Sequence, residues 1–389
     1  MRFTHPDGST VHLGYCTNVH PAETLDGVRA QLGRYCEPVR ERLGVDRLGI
    51  GLWLAHDAAA ELTADPAALR ALRAELDRRG LEVVSLNGFP YEGFGAQEVK
   101  YRVYRPDWTE PERLEYTSDL ARLLAVLLPD DAAEGTISTL PLAWRTGYDE
   151  AAAETTHTAL TKLADHLDRL EDETGRSIRV ALEPEPGCVI ETTADALAPL
   201  AALPGHRIGL CLDTCHLATG FEEPAAALAA LERAGISVPK VQLSAALHAD
   251  NPHDPAVRSA LATFDEPRFL HQTRTGRGAA LRGTDDLGPA LAGGLPTDAG
   301  PWRTHFHVPL HAPPEPPLAA TLDVLREALA QLAGGATAGS RHFEVETYTW
   351  QALPPAARPA DDARLADGIA AELALVRELL TGLGLKEQP

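Results

Sequence analysis

Four short stretches of this sequence concentrate side chains able to hold a cation or move a proton. Leu182-Glu183-Pro184-Glu185-Pro186 offers two carboxylates on one side of an extended, proline-stiffened segment. Asp213-Thr214-Cys215-His216 sets a carboxylate and an imidazole close together, and Glu344-Val345-Glu346 repeats the alternating acid pair. His305-Phe306-His307 puts two imidazoles on one face of an extended run. Carboxylate oxygen with imidazole nitrogen is a donor mix that suits Mn, Zn, Mg or Fe(II).

The Asp213-x-x-His216 spacing has a geometric sense if Asp213 ends a strand pointing inward, because a tight turn then returns His216 toward the same centre. Such a pair is common by itself, and a surface turn with Asp213 capping the next helix is the plain alternative. His305 and His307 read equally well as ligands, as acid/base groups or as lining imidazoles bonded to carboxylates. Either Glu183 or Glu185 could be the ligand; Glu183 is favoured, with Glu185 facing substrate. Glu346 is favoured over Glu344 because it stands nearer the strand end.

Buried strands must position these residues. Apolar runs of strand length recur at 12–18, 48–54, 82–87, 135–140, 179–183, 207–213, 240–244 and 342–347, with amphipathic stretches between them. Helices are expected from Arg29 to Leu43, from Pro66 to Arg79 behind the Asp65 cap, from Tyr148 to Thr174, from Pro224 to Ala234 and from Asp361 to Leu383. Such alternation predicts one α/β domain over residues 1–389, a (β/α)8 TIM barrel whose C-terminal strand ends carry the functional groups. Far more chain than one helix needs lies between the seventh and eighth strands, which predicts an insertion at roughly 248–320. Asn18 and His20 end the first strand, where lining a substrate competes with shaping a turn, and Asn87 ends the third. Tyr348 and Trp350 read as pocket walls or as core aromatics, the latter favoured.

Bulk composition narrows the partners. A net charge of −21 argues against nucleic acid, which asks for a basic face. No run of about 18 apolar residues occurs, so membrane insertion is not expected and a cytoplasmic location is. The five cysteines, Cys16, Cys36, Cys188, Cys211 and Cys215, follow no zinc-ribbon or thioredoxin spacing and read as reduced, partly buried thiols.

The segment Gly209-Leu210-Cys211-Leu212-Asp213-Thr214-Cys215-His216, followed by Gly220, resembles the matching strand of endonuclease IV and of the xylose isomerase-like sugar isomerases and epimerases. That resemblance implies metal ligands at Glu183, Asp213, His216, Gln242 and Glu346. It departs from endonuclease IV at the second, third and seventh strand ends, where Trp53 with His56, Asn87 and Gln242 stand instead of the extra histidines of a three-zinc cluster. A closer resemblance, carried by 12–21, 241–244, 305–309 and 344–350, is to the EboE metabolite-traffic proteins of bacterial ebo-type clusters. It implies a role in handling a secondary metabolite alongside a UbiA-type membrane prenyltransferase.

The reaction implied is isomerisation or epimerisation of a small hydroxy-carbonyl metabolite. Glu183 or Glu346 would take the proton beside the carbonyl, and His307 would return one. Asn18, His20, Asn87, Glu185, His305 and Glu344 are the substrate-facing candidates. Two other readings use the same residues: a carrier that holds a metabolite without turning it over, and a phosphodiesterase drawing extra ligands from His271, His305 or His307.

Overall fold

Buried apolar runs form eight parallel strands of a closed barrel in this computed structural model, which describes residues 1–388. In chain order the strands are β1 (Thr10–Cys16), β2 (Leu48–Trp53), β3 (Leu81–Asn87) and β4 (Glu134–Thr139). They continue with β5 (Ser177–Leu182), β6 (Ile208–Asp213), β7 (Lys240–Leu243) and β8 (His342–Val345). His342 of β8 lies opposite both Lys240 of β7 and His12 of β1, which closes the ring. Every residue of β2, β3 and β6 is buried, as expected of strands packed by side chains inside and helices outside.

Local chemistry sets the helix starts. Asp65 accepts from Ala67 N before helix Pro66–Arg78, and Asp149 accepts from Ala152 N before Glu150–Thr174. The first helical stretch begins at Leu25 rather than Arg29, because the Thr24 side chain caps it further upstream. It runs through a π-turn at Leu32–Cys36 into Glu37–Leu43. Several helices, His56–Ala64, Pro111–Leu127 and Thr193–Ala201 among them, have no counterpart among the expected elements. The second buries Tyr116, Leu120 and Leu124.

After β7 the chain builds a second, five-stranded antiparallel sheet before it returns to the barrel. Its strand order is Arg282–Thr284, Thr273–Thr275, Trp302–Thr304, Leu247–Ala249 and Ala319–Ala320. Strand Trp302–Thr304 leads straight into His305 and His307, so this sheet delivers both imidazoles to the barrel mouth. At the opposite end Arg2–Thr4 runs antiparallel to β1, with Lys386–Glu387 beyond it. No helix among the described residues is long and apolar enough to cross a membrane.

Candidate metal centre

Three carboxylates from three strand ends meet over the barrel axis. Glu183 follows β5, Asp213 ends β6 and Glu346 follows β8, and one oxygen of each lies within 4.8 Å of the others. Asp213 divides its work between its two oxygens. Oδ1 accepts from the backbone N–H of His216 at 2.9 Å and from Ser244 Oγ at 2.8 Å, capping helix Thr214–Thr219. Oδ2 faces the chamber, and neither it nor Glu183 Oε2 has a hydrogen-bond partner among the described residues. Glu346 Oε1 is held by Asn18 Nδ2 at 2.7 Å and Asn87 Nδ2 at 2.9 Å.

Buried acids this close repel one another's charge. Burial, then Glu346 and Asp213, push Glu183 well above the ordinary carboxylate range. Burial, then Asp213, raise Glu346 to about 8. The trio is compatible with full ionisation only beside a compensating cation.

Three imidazoles converge from the other side, and their partners fix their orientation. His216 Nδ1 donates to Pro184 O at 2.8 Å, His305 Nδ1 to Gln272 Oε1 at 2.7 Å and His307 Nδ1 to Glu346 O at 2.6 Å. Each ring thereby turns Nε2 toward the centre, the arrangement metal-bound histidines adopt. His216 Nε2 and His305 Nε2 stand 3.0 Å apart. In neutral rings this sets two lone pairs face to face, which a shared cation relieves. His307 Nε2 lies 3.9 Å from Asp213 Oδ2 and has no hydrogen-bond partner among the described residues. Asp213, His216 and His307 form a second group with ligand atoms within 4.8 Å, so carboxylate and imidazole sets overlap at Asp213. Unpartnered buried oxygens and converging Nε2 atoms fit a divalent ion.

Most of the expected residues are brought together here, with four qualifications. His307 offers a lone pair and not a proton: burial lowers it to about 4, and its one N–H is committed to Glu346 O. His20 does not reach the chamber, since its ring stacks on Tyr35 at 3.9 Å. Glu344 sits a layer below, paired with Lys240 Nζ at 3.0 Å and accepting from Ser85 Oγ. Gln242 is fully buried on β7 opposite Asp213, and neither of its side-chain polar atoms has a partner among the described residues. Asn18, Asn87, Glu185, His305 and Tyr348 all line the cavity, whereas Trp350 packs against Gly368 and Glu372.

Sequence reasoning missed the groups that orient these residues. Tyr104 donates to Glu185 Oε1 at 2.5 Å and accepts from Gln272 Nε2 at 2.9 Å. Gln272 in turn holds His305, so one chain of hydrogen bonds links Glu185 to the imidazoles. Tyr104 belongs to an otherwise unremarkable charged stretch, and no spacing marked it. Lys240 was legible only as a polar residue in a buried strand. Its ammonium is fully buried among Glu344, Ser138 and Leu86 O, a layer beneath the carboxylates.

The family described as xylose isomerase-like TIM barrel matches residues 39–258, more than half of the chain. This chain belongs to that family. Among solved xylose isomerase-like barrels, a Mycobacterium smegmatis member in complex with magnesium is 14% identical with a TM-score of 0.52, covering 95% of this chain and 98% of that one. D-psicose 3-epimerase in the presence of D-fructose is 15% identical with a TM-score of 0.51, over 95% of this chain and 99% of its own. A putative sugar phosphate isomerase/epimerase from Anabaena variabilis is 14% identical with a TM-score of 0.51, over 97% and 100%. At such identity the likeness is one of fold. No curated protein matches the sequence.

Proposed function

We propose that this xylose isomerase-like barrel is a divalent-metal-dependent isomerase or epimerase acting on a small hydroxy-carbonyl metabolite. The observation that carries the reading is the meeting of Glu183, Asp213 and Glu346, with Glu183 Oε2 and Asp213 Oδ2 left unpartnered among the described residues. Glu183, Asp213, His216 and Glu346 would hold the ion, with Gln242 in reach of the same strand ends. When bound, a divalent ion acts as a Lewis acid on the two adjacent oxygens of the substrate head.

The chain's own residues supply the rest. Glu185, buried beside the imidazoles and held by Tyr104, can take or return the proton next to the carbonyl. Its carboxyl is raised by burial, which suits a group that alternates between the two protonation states. Asn18 and Asn87 fix Glu346 through its Oε1, so that carboxylate does not swing. The likeness of 305–309 and 344–350 to EboE proteins supports a place in secondary metabolism, with a UbiA-type prenyltransferase as partner system.

One observation favours part of a phosphodiesterase reading, since His305 and His307 from the second sheet do reach the centre. His271 does not, being paired with Glu266 at 2.8 Å, and the −21 charge opposes a polyanionic substrate.

Elemental analysis of untagged wild type, Glu183→Ala and Asp213→Asn tests the centre. Stoichiometric Mn, Zn or Fe in the wild type is expected to fall at least about tenfold in affinity in both variants. Asp213→Asn keeps the helix cap and removes one buried negative charge, so the metal-free variant should melt no lower than metal-free wild type. Retained metal in both variants overturns the site. Metal without deuterium exchange into any hydroxy-ketone in D2O leaves the carrier reading in its place.

A further inference from the structure

The wall above the carboxylates is of a different character from the floor. Phe89, Phe94, Phe269, Leu270 and Tyr348 line the upper chamber, with Phe94 supplied by the loop after β3 and Phe269 by the segment between strands Leu247–Ala249 and Thr273–Thr275 of the second sheet. The rings interlock: Phe94 lies 5.3 Å from Phe269 and 5.4 Å from Tyr348, and Phe269 lies 4.9 Å from Tyr348. Edge and tilted contacts of this kind form a surface that accepts another flat ring.

Polar groups around the chamber are already spent on one another. Asn87 donates to Glu346 and accepts from Phe89 N, while Tyr104 and Gln272 serve Glu185 and His305. Tyr348 OH reaches His305 Nε2 at 3.2 Å, and Lys100 at the rim is paired with Asp286. Asn18 Oδ1 is the one amide oxygen of the lining that stays unpartnered among the described residues. A hexose would bring hydroxyls that find no partners above the floor, and stranded hydroxyls select against a ligand.

The rings close over a cavity of about 50 Å³. That is about a third of the roughly 150 Å³ of a cavity that takes a benzene ring, so a six-membered ring needs more room than the chamber offers as it stands. Phe94 and Phe269 stand on segments tied together by Arg268, which donates to Phe94 O at 2.8 Å and accepts at its carbonyl from Val99 N at 2.7 Å. Whatever parts the rings must replace ring-to-ring contact with contact of the same kind.

Resting on the metal reading above for its polar floor, we infer that the substrate joins a hydroxy-carbonyl head to a planar aromatic body that fills the Phe89, Phe94, Phe269 and Tyr348 wall. The head faces Glu183, Asp213 and Glu346. The ring takes the place of the aromatic contacts it displaces.

Calorimetric titration with three probes sharing one head tests this: phenacyl alcohol, hydroxyacetone and D-fructose, each with metal-free and with Mn2+-loaded protein. Phenacyl alcohol should bind at least about tenfold tighter than hydroxyacetone, and D-fructose no tighter than hydroxyacetone, in both forms. Phe269→Ala and the milder Phe94→Leu should erase the phenacyl advantage and leave hydroxyacetone binding unchanged, with Mn2+ stoichiometry reporting that each variant is folded. D-fructose binding as tightly as phenacyl alcohol overturns the inference. Failure of Mn2+ to bind, with the probe order preserved, would sink the metal reading alone.

Discussion

Asp213 shows how one residue satisfies two readings that compete on paper. Its cap oxygen and its chamber oxygen are different atoms, so the helix start that explains the residue structurally also aims it at the centre. The histidines are similar: carbonyl acceptors on Pro184, Gln272 and Glu346 decide which nitrogen points inward, and no motif encodes them. At the far end of the barrel, Glu82 contrasts with the chamber acids. Burial would raise it, but the neighbouring His12 imidazole, the charge of the amino terminus and the hydrogen bond from Arg2 outweigh that and hold it at about 2. Since the folded value lies below the ordinary carboxylate value of 4.5, Glu82 adds stability above pH 4.5 and loses it as the pH falls toward 2. Glu82→Gln should therefore lower stability by about 2–4 kcal/mol at pH 7, with the gap from wild type closing below pH 4.5. Urea melts across that window check it, and a gap independent of pH would contradict the assignment.

At the scale of elements, β7, β8 and β2 share a buried polar layer beneath the chamber. Lys240 on β7 pairs with Glu344 on β8, and that carboxylate lies over Gly51 on β2, where an added Cβ would sit 2.1 Å from its Oε2. Glycine at 51 thus leaves room for the Glu344 carboxylate reaching across the barrel. Removing one member of the pair leaves a charge buried alone, so Lys240→Met should cost about 3–5 kcal/mol. The double variant Lys240→Met with Glu344→Leu should recover most of it, because an apolar pair of similar volume needs no compensation. Should the double variant be no more stable than the single, packing and not charge holds this layer. The strand pattern was legible to within a few residues because buried strands need continuous apolar runs. The helices His56–Ala64 and Pro111–Leu127 were not, for alanine-rich or evenly polar stretches give weak periodicity.

For the whole molecule, the barrel and the second sheet contribute to one centre, so its occupancy should be felt by both. Loading with Mn2+ at 100 times its dissociation constant should stabilise the fold by about 2.7 kcal/mol, reversed by EDTA. Hydrogen exchange should slow on loading at the end of β6 and across 304–308, and stay unchanged in the distant Arg2–Thr4 strand. Equal slowing everywhere would mean that the ion does not bind between these parts. By itself the sequence determined the eight-strand alternation, the closed α/β class and the acids and imidazoles at the strand ends, because periodicity and residue type are local properties. Only the tertiary structure decided which carboxylate of each pair faces the centre, that His20 and Glu344 turn away from the mouth, that His305 and His307 arrive from another sheet, and that aromatic rings roof the chamber. Those depend on contacts between residues far apart in the chain, where registers and hydrogen-bond partners are chosen by packing and not by neighbours in sequence.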